Sequence, residues 1–262
     1  MRFFRPAGLL GLAFFATLPA IASPAAAAEP KPESTEFRVF RGDKDVGKEV
    51  LRKQTGKEGV YFSIHASLQD KVTKVWRTFT QRAHLPLLLN GEFTRYDRWI
   101  DVTGATSEAK LIQFQGGWRV VTREAAKDGV LPKPKVTEVK VAKPLVVFDE
   151  RLPSLVAVAA ERMTGRTAAD YVRVDDGTFG KVAISYENLV DKAGTRFTRT
   201  RMTAPGVDVA VLNDDKGRTV HVQGLDGWSG LVVGAKIPKD LKAVASAAPE
   251  APLPAAATPG AP

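Results

Sequence analysis

Cysteine is absent from the 262 residues, which excludes a disulfide framework, a thiolate metal cluster, a cysteine nucleophile and a cysteine-borne lipid anchor. Histidine is scarce. His65, His84 and His221 stand far apart, and none falls in an H-x-x-E-H, H-E-x-x-H or close paired arrangement, so spacing offers no metal centre. The expected metal and cofactor complement is none. Long apolar runs are also missing, apart from residues 7–22. The remainder is ordinary, with 44% hydrophobic, 26% charged and 8% aromatic residues, the proportions of a folded globular chain. Its stability has to come from packing.

The one long apolar run follows Arg2 and Arg5 and leads through Ser23 and Pro24 into the small-residue run Ala25, Ala26, Ala27 and Ala28. A positive start, an apolar middle and an A-x-A site spell a secretory signal peptide over residues 1–28, cleaved before Glu29. The run is 16 residues long and contains Pro19. A spanning helix needs about 20, so the sequence predicts a periplasmic or secreted chain with no transmembrane segment after cleavage. The processed chain carries 36 basic and 29 acidic residues, a net charge of +7. For an exported protein that charge points to an anionic envelope surface rather than to nucleic acid. It also serves plain solubility.

Residues 29–35 read as a flexible leader and residues 240–262 as a disordered Ala/Pro-rich tail; nine Ala and five Pro fill 14 of the last 20 positions. Between them, residues 36–239 form a single β-rich domain. Its dominant signal is period-two alternation. Val60, Phe62, Ile64, Ala66 and Leu68 share one face, with Ser63, His65 and Ser67 on the other. The pattern recurs at Phe37 and Val39, at Val182 and Ile184, and at Val207, Val209 and Val211, with Gly- and Asp-rich turns between the runs. One segment near 152–164 departs from it: Leu152, Leu155, Val156, Ala159 and Met163 recur at helical spacing, with Pro153 in the first turn and Gly165 past the end. The fold expected is mainly β, a curved antiparallel sheet forming a barrel or half-barrel, with one amphipathic helix packed on its concave side.

Few residue patterns suggest chemistry. Gly227-Trp228-Ser229-Gly230 lacks the spacing of a nucleophile elbow and reads as a turn with a packed Trp. The neighbouring acids Asp149-Glu150, Asp175-Asp176 and Asp214-Asp215 do not by themselves converge on a cleft, as acid and base catalysis requires. No catalytic residue is assigned, and the chain is read as non-enzymatic. Basic residues interleaved with aromatics are more suggestive: Trp76 with Arg77, Arg95 and Arg98 around Tyr96 and Trp99, and Phe197 with Arg199 and Arg201. Gathered at the mouth of a curved sheet, Trp76, Arg77, Arg95, Trp99, Phe197, Arg199 and Arg201 would bind a lipid phosphate or carboxylate above an apolar interior. The run His84-Leu85-Pro86-Leu87-Leu88-Leu89-Asn90 reads as an apolar loop, because Pro86 interrupts a strand.

The leader peptide, the opening Phe37-Arg38-Val39-Phe40-Arg41-Gly42 with Val46-Gly47-Lys48-Glu49, the mid-chain Val147-Phe148-Asp149-Glu150-Arg151-Leu152-Pro153-Ser154-Leu155 and the closing hairpins together resemble the exported half-barrel proteins typified by periplasmic lipoprotein carriers and related envelope families. The resemblance is topological and transfers no residue. It implies a curved sheet sheltering acyl chains. The function expected is binding of a lipid or other amphipathic anionic ligand in the concave face, and the alternative is a structural or interaction module of the cell envelope with a filled core.

Overall fold

The computed structural model describes residues 32–72, 75–88, 94–115, 117–127, 129–141, 145–237 and 240–244, with the side chains of 70–72 and 75–78 set aside. The expected signal peptide, the first residues of the leader, and the tail beyond 244 lie outside the described residues.

The first arm is a meander of eight strands: β1 (Glu33–Arg41), β2 (Lys44–Thr55), β3 (Gly59–Val72), β4 (Val75–Leu88), β5 (Arg95–Val102), β6 (Ala105–Phe114), β7 (Gly117–Arg123) and β8 (Lys135–Val139). Then come β9 (Leu145–Phe148), the helix α1 (Pro153–Arg162), and β10 (Ala168–Arg173), β11 (Phe179–Val190), β12 (Arg196–Ala204), β13 (Val207–Asp214), β14 (Thr219–Gln223) and β15 (Trp228–Val232). A last short strand, β16 (Lys242–Ala243), pairs with β11. All belong to one large curved sheet ordered β8-β7-β6-β5-β4-β3-β2-β1-β15-β14-β13-β12-β11-β10-β9, which hydrogen bonding does not close. Neighbours are antiparallel except β9 and β10, which run parallel because α1 returns the chain between them.

The two edges of this sheet, β8 and β9, are consecutive in the chain. Val139 and Leu145 are six residues apart, so their Cα atoms lie no more than ~21 Å apart, and both are buried in one core cluster. Because antiparallel connections alternate between ends, the sheet has two rims. The upper rim carries the β2–β3, β4–β5, β6–β7, β11–β12 and β13–β14 connections and the C-terminal end of α1. The lower rim carries the β1–β2, β5–β6, β10–β11 and β14–β15 turns and the start of α1.

The helix contacts β9, β13, β14 and β15. Leu152, Leu155 and Val158 join the core of the first arm, with Val39, Phe62, Ile64 and Leu111. Val156, Ala159 and Met163 join Phe37, Phe148, Ile184, Met202 and Val209. The expected single apolar stripe gives way to burial all round, since each residue from Pro153 to Ala160 is buried. Burial is feasible because the off-stripe positions are Ser154, Ala157, Val158 and Ala160, which bring no charge into the core. Gly230 makes room for this packing: a Cβ there would lie 3.2 Å from both Pro153 Cβ and Phe37 Cδ1. Among the described residues no helix is long and apolar enough to cross a membrane.

Three sequence boundaries shift. Pro86 does not end a strand: β4 runs on to Leu88, with Pro86 paired to Tyr61. The Pro86 carbonyl faces β5 and accepts from Thr94, so its missing N–H faces the same way, beyond the last β4–β5 pair at His84 and Asp97. No ladder bond is lost. Glu33 to Thr35, assigned to the leader, pair with Leu51 to Lys53 as the start of β1. Within the expected tail, Lys242 and Ala243 form β16, and Leu241 packs with Ala235 over Leu189, Phe197, Leu212 and Val220.

Candidate functional site

At the upper rim, the inner positions of β1, β2 and β3 face the last turns of α1 and the ends of β11 and β12. They leave a groove of about 1270 Å3. Alternation fixes its floor: Phe37, Leu51 and Phe62 come from strands, and Ala157, Val158 and Ala160 from the helix. The small helical side chains leave the space that larger ones would fill.

The collar is polar, with the acids Glu33, Glu161, Asp214 and Asp215 beside the bases Lys53, Arg196 and Arg218. Lys53 pairs with Glu161 at 2.5 Å, and this hydrogen bond raises the lysine pKa against the opposing effect of burial. Arg218 pairs with Asp214 at 2.7 Å. Tyr186 donates its hydroxyl to the Met163 carbonyl at 2.5 Å, fastening β11 to the end of the helix. Arg196, also in the lining, holds no carboxylate among the described residues. Such a site can take an apolar chain on its floor and hydrogen-bond a polar head at its collar.

Below the groove a small polar set is packed within the apolar core. Arg98, on β5, places one guanidinium nitrogen 3.0 Å from Asp149 and 2.5 Å from Asp175. Gln81 Nε2 donates to Asp149 Oδ1 at 3.1 Å, and the Tyr96 hydroxyl to Oδ2 at 2.6 Å. The Asp175 carboxylate also accepts the Glu150 N–H at 2.8 Å. Beside them Glu49, on β2, accepts from the hydroxyl of Ser154 and, at 3.5 Å, from its N–H. Burial lifts the Glu49 carboxyl to about 8 against the Ser154 hydrogen bonds, and Asp149 adds to the rise. Asp175 is raised by burial and by Asp149. The set joins β2, β4 and β5 to the turns after β9 and β10 and to the start of α1. Its members do not line the groove.

The basic–aromatic residues are dispersed. Phe197 lines the groove and is buried with Leu189 and Leu212. Arg199 and Arg201 pair with Glu187 at 3.0 Å and Asp208 at 2.8 Å, and line a separate groove of about 480 Å3 with His221, Ile237 and Leu241. Arg95 is exposed and pairs with Asp97 at 2.9 Å. Trp99 meets His84 edge-on, with ring centroids 5.2 Å apart. Trp76 and Arg77 lie on β4, and their side chains fall outside the described residues. The pleat divides the Arg95–Trp99 cluster, sending Tyr96 and Arg98 inward and Arg95 and Trp99 outward.

Sequence reasoning gave Lys53 and Tyr186 no site role, saw Arg196 only as part of the basic run around Phe197, and named Tyr96, Arg98, Asp149 and Asp175 without bringing them together or joining them to Gln81 and Glu49. The spacing of Arg98 was the available signal, because Tyr96 and Ile100 lie two residues to either side on one face. Among the described residues no three His, Asp or Glu side chains form a metal-holding group. In comparisons with protein-family models, curated proteins and solved structures, nothing matches this chain.

Proposed function

We propose that the chain is an exported, periplasmic or secreted, non-enzymatic protein that holds a lipid or another amphipathic ligand on the concave side of its curved sheet. The observation that carries this reading is the groove of about 1270 Å3 beside α1, larger than the ~300–1,000 Å3 typical of small-molecule sites. Acyl chains lie on Leu51, Phe62 and the alanines of α1, and the head group meets Arg196, the collar base that no carboxylate holds among the described residues. A helix buried on all sides fits one lodged within the curve of a half-barrel, the arrangement implied by the resemblance to lipoprotein carriers. A scaffold with a filled core gives no account of the groove.

Native mass spectrometry and lipid extraction of the protein purified from the periplasm test this. Bound lipid is expected, together with a rise in Tm when lipid is added. Finding neither would remove the reading, and recovery of the chain only from the cytoplasm would remove export.

A further inference from the structure

Large apolar side chains stand exposed near the upper rim, on β3, β4 and β6. Tyr61, Leu88, Ile112 and Phe114 are 38%, 44%, 36% and 37% exposed. Each sits within a few residues of the β2–β3, β4–β5 or β6–β7 connection, and all four belong to the outer face: Tyr61 pairs with Pro86, two before Leu88, and Ile112 pairs with Arg95 and Arg119. None is used by the groove floor.

Cations surround these side chains. The Arg119 guanidinium lies 3.4 Å from the centroid of the Phe114 ring, and Lys57 is exposed on the β2–β3 turn beside the one exposed acid of that turn, Glu58. Two acids of this face are already engaged, Asp97 by Arg95 at 2.9 Å and Glu138 by Arg119 at 2.8 Å. On the same face Arg52 and Arg82 hold no carboxylate among the described residues. Aromatic and aliphatic tips among cations match the interfacial zone of an anionic bilayer, where rings sit at headgroup depth and Lys or Arg meets the negative surface potential.

We infer that the upper rim of the first arm docks on an anionic phospholipid bilayer, with Tyr61, Leu88, Ile112 and Phe114 entering the interface and the groove mouth turned toward the lipid. The docking surface stands on its own residues. Its purpose, passing a ligand between bilayer and groove, rests on the binding reading above.

The lack of cysteine makes the test direct. In the full chain, Leu88→Cys, Phe114→Cys and, in the β7–β8 connection at the lower rim, Val130→Cys are each labelled with an environment-sensitive fluorophore. They are then mixed with vesicles of phosphatidylcholine alone or with an equal part of phosphatidylglycerol. Blue-shifted emission is expected at 88 and 114 on the anionic vesicles, with little change at 130 or on neutral vesicles. Lys57→Gln and Arg52→Gln should each weaken partitioning about fivefold, roughly the ~1 kcal/mol of one basic residue at such a surface. Labels at 88 and 114 that stay wet, an equal shift at 130, or a shift that appears on concentrating the protein without vesicles, the signature of a second copy, would overturn the inference. Native mass spectrometry on the same samples reads the groove separately: docking by an empty chain removes the binding reading alone, and a lipid-filled chain with wet labels removes the docking alone.

Discussion

The phenolic hydroxyl of Tyr96 donates to Asp149 Oδ2 over 2.6 Å, between residues 53 positions apart. Tyr96 lies on β5, deep in the first arm, whereas Asp149 follows the edge strand β9. Side chains thus tie the middle of the first arm to the chain just past the edge strand β9. Arg98, Gln81 and Asp175 complete this tie.

Removing the shared carboxylate should therefore loosen the edge. Asp149→Ala leaves the buried Arg98 with Asp175 alone and strands Gln81 and Tyr96. We expect a loss of about 3–5 kcal/mol, read as a lower urea midpoint. Tyr96→Phe should cost about 1–3 kcal/mol, the loss of one hydrogen bond to a charged group. Midpoints unchanged in both variants would show that the network does not hold the edge.

Glu49 gives a pH dependence of unusual sign. Its folded pKa is raised from 4.5 to about 8, so between these values the folded chain keeps a proton that the unfolded chain releases. Its stabilising contribution is complete below about pH 4.5 and is lost as pH rises through 8. Glu49→Gln should flatten this decline and make the variant the more stable chain above pH 8. Thermal melts across pH 5 to 9 check it, and parallel curves for the two chains would refute it.

Gly47 is fixed by crowding. Its φ is +140°, and a Cβ there would collide with the Ser67 carbonyl oxygen of β3. Gly47→Ala must shift β2 beside its irregular pairing with β1, at a cost of about 1–3 kcal/mol. An unchanged Tm would count against this packing.

Ala157 tests the groove. Ala157→Phe adds bulk between the helix and the groove without adding charge, and it should lower lipid occupancy in native mass spectra while the far-ultraviolet circular dichroism stays the same. Unaltered occupancy would place the ligand elsewhere.

Much of the fold was legible because alternation is local. Phe62, Ile64, Ala66 and Leu68 are buried where period two puts them, and Ser63 and His65 face outward. Pro86 misled because whether a proline breaks a ladder depends on which side its nitrogen faces and whether a neighbour is still there. The helix misled because alanine reads as indifferent in a sequence, yet permits burial on any side. The basic–aromatic runs were visible as residue types, but their destinations were not.

The mainly β class, several of the strands, the one helix, the lack of thiol chemistry and the basic balance could be read from the chain alone, because each depends on composition or on neighbours a few residues apart. That β1 pairs with β15, that Arg98 and Asp149 meet in the interior with Glu49 beside them and Asp175 at its margin, and that a groove opens beside α1 came only with the folded arrangement. Those outcomes depend on which distant strands meet as the sheet curves, and on whether the side chains brought together fill the space between them. No local pattern encodes either quantity.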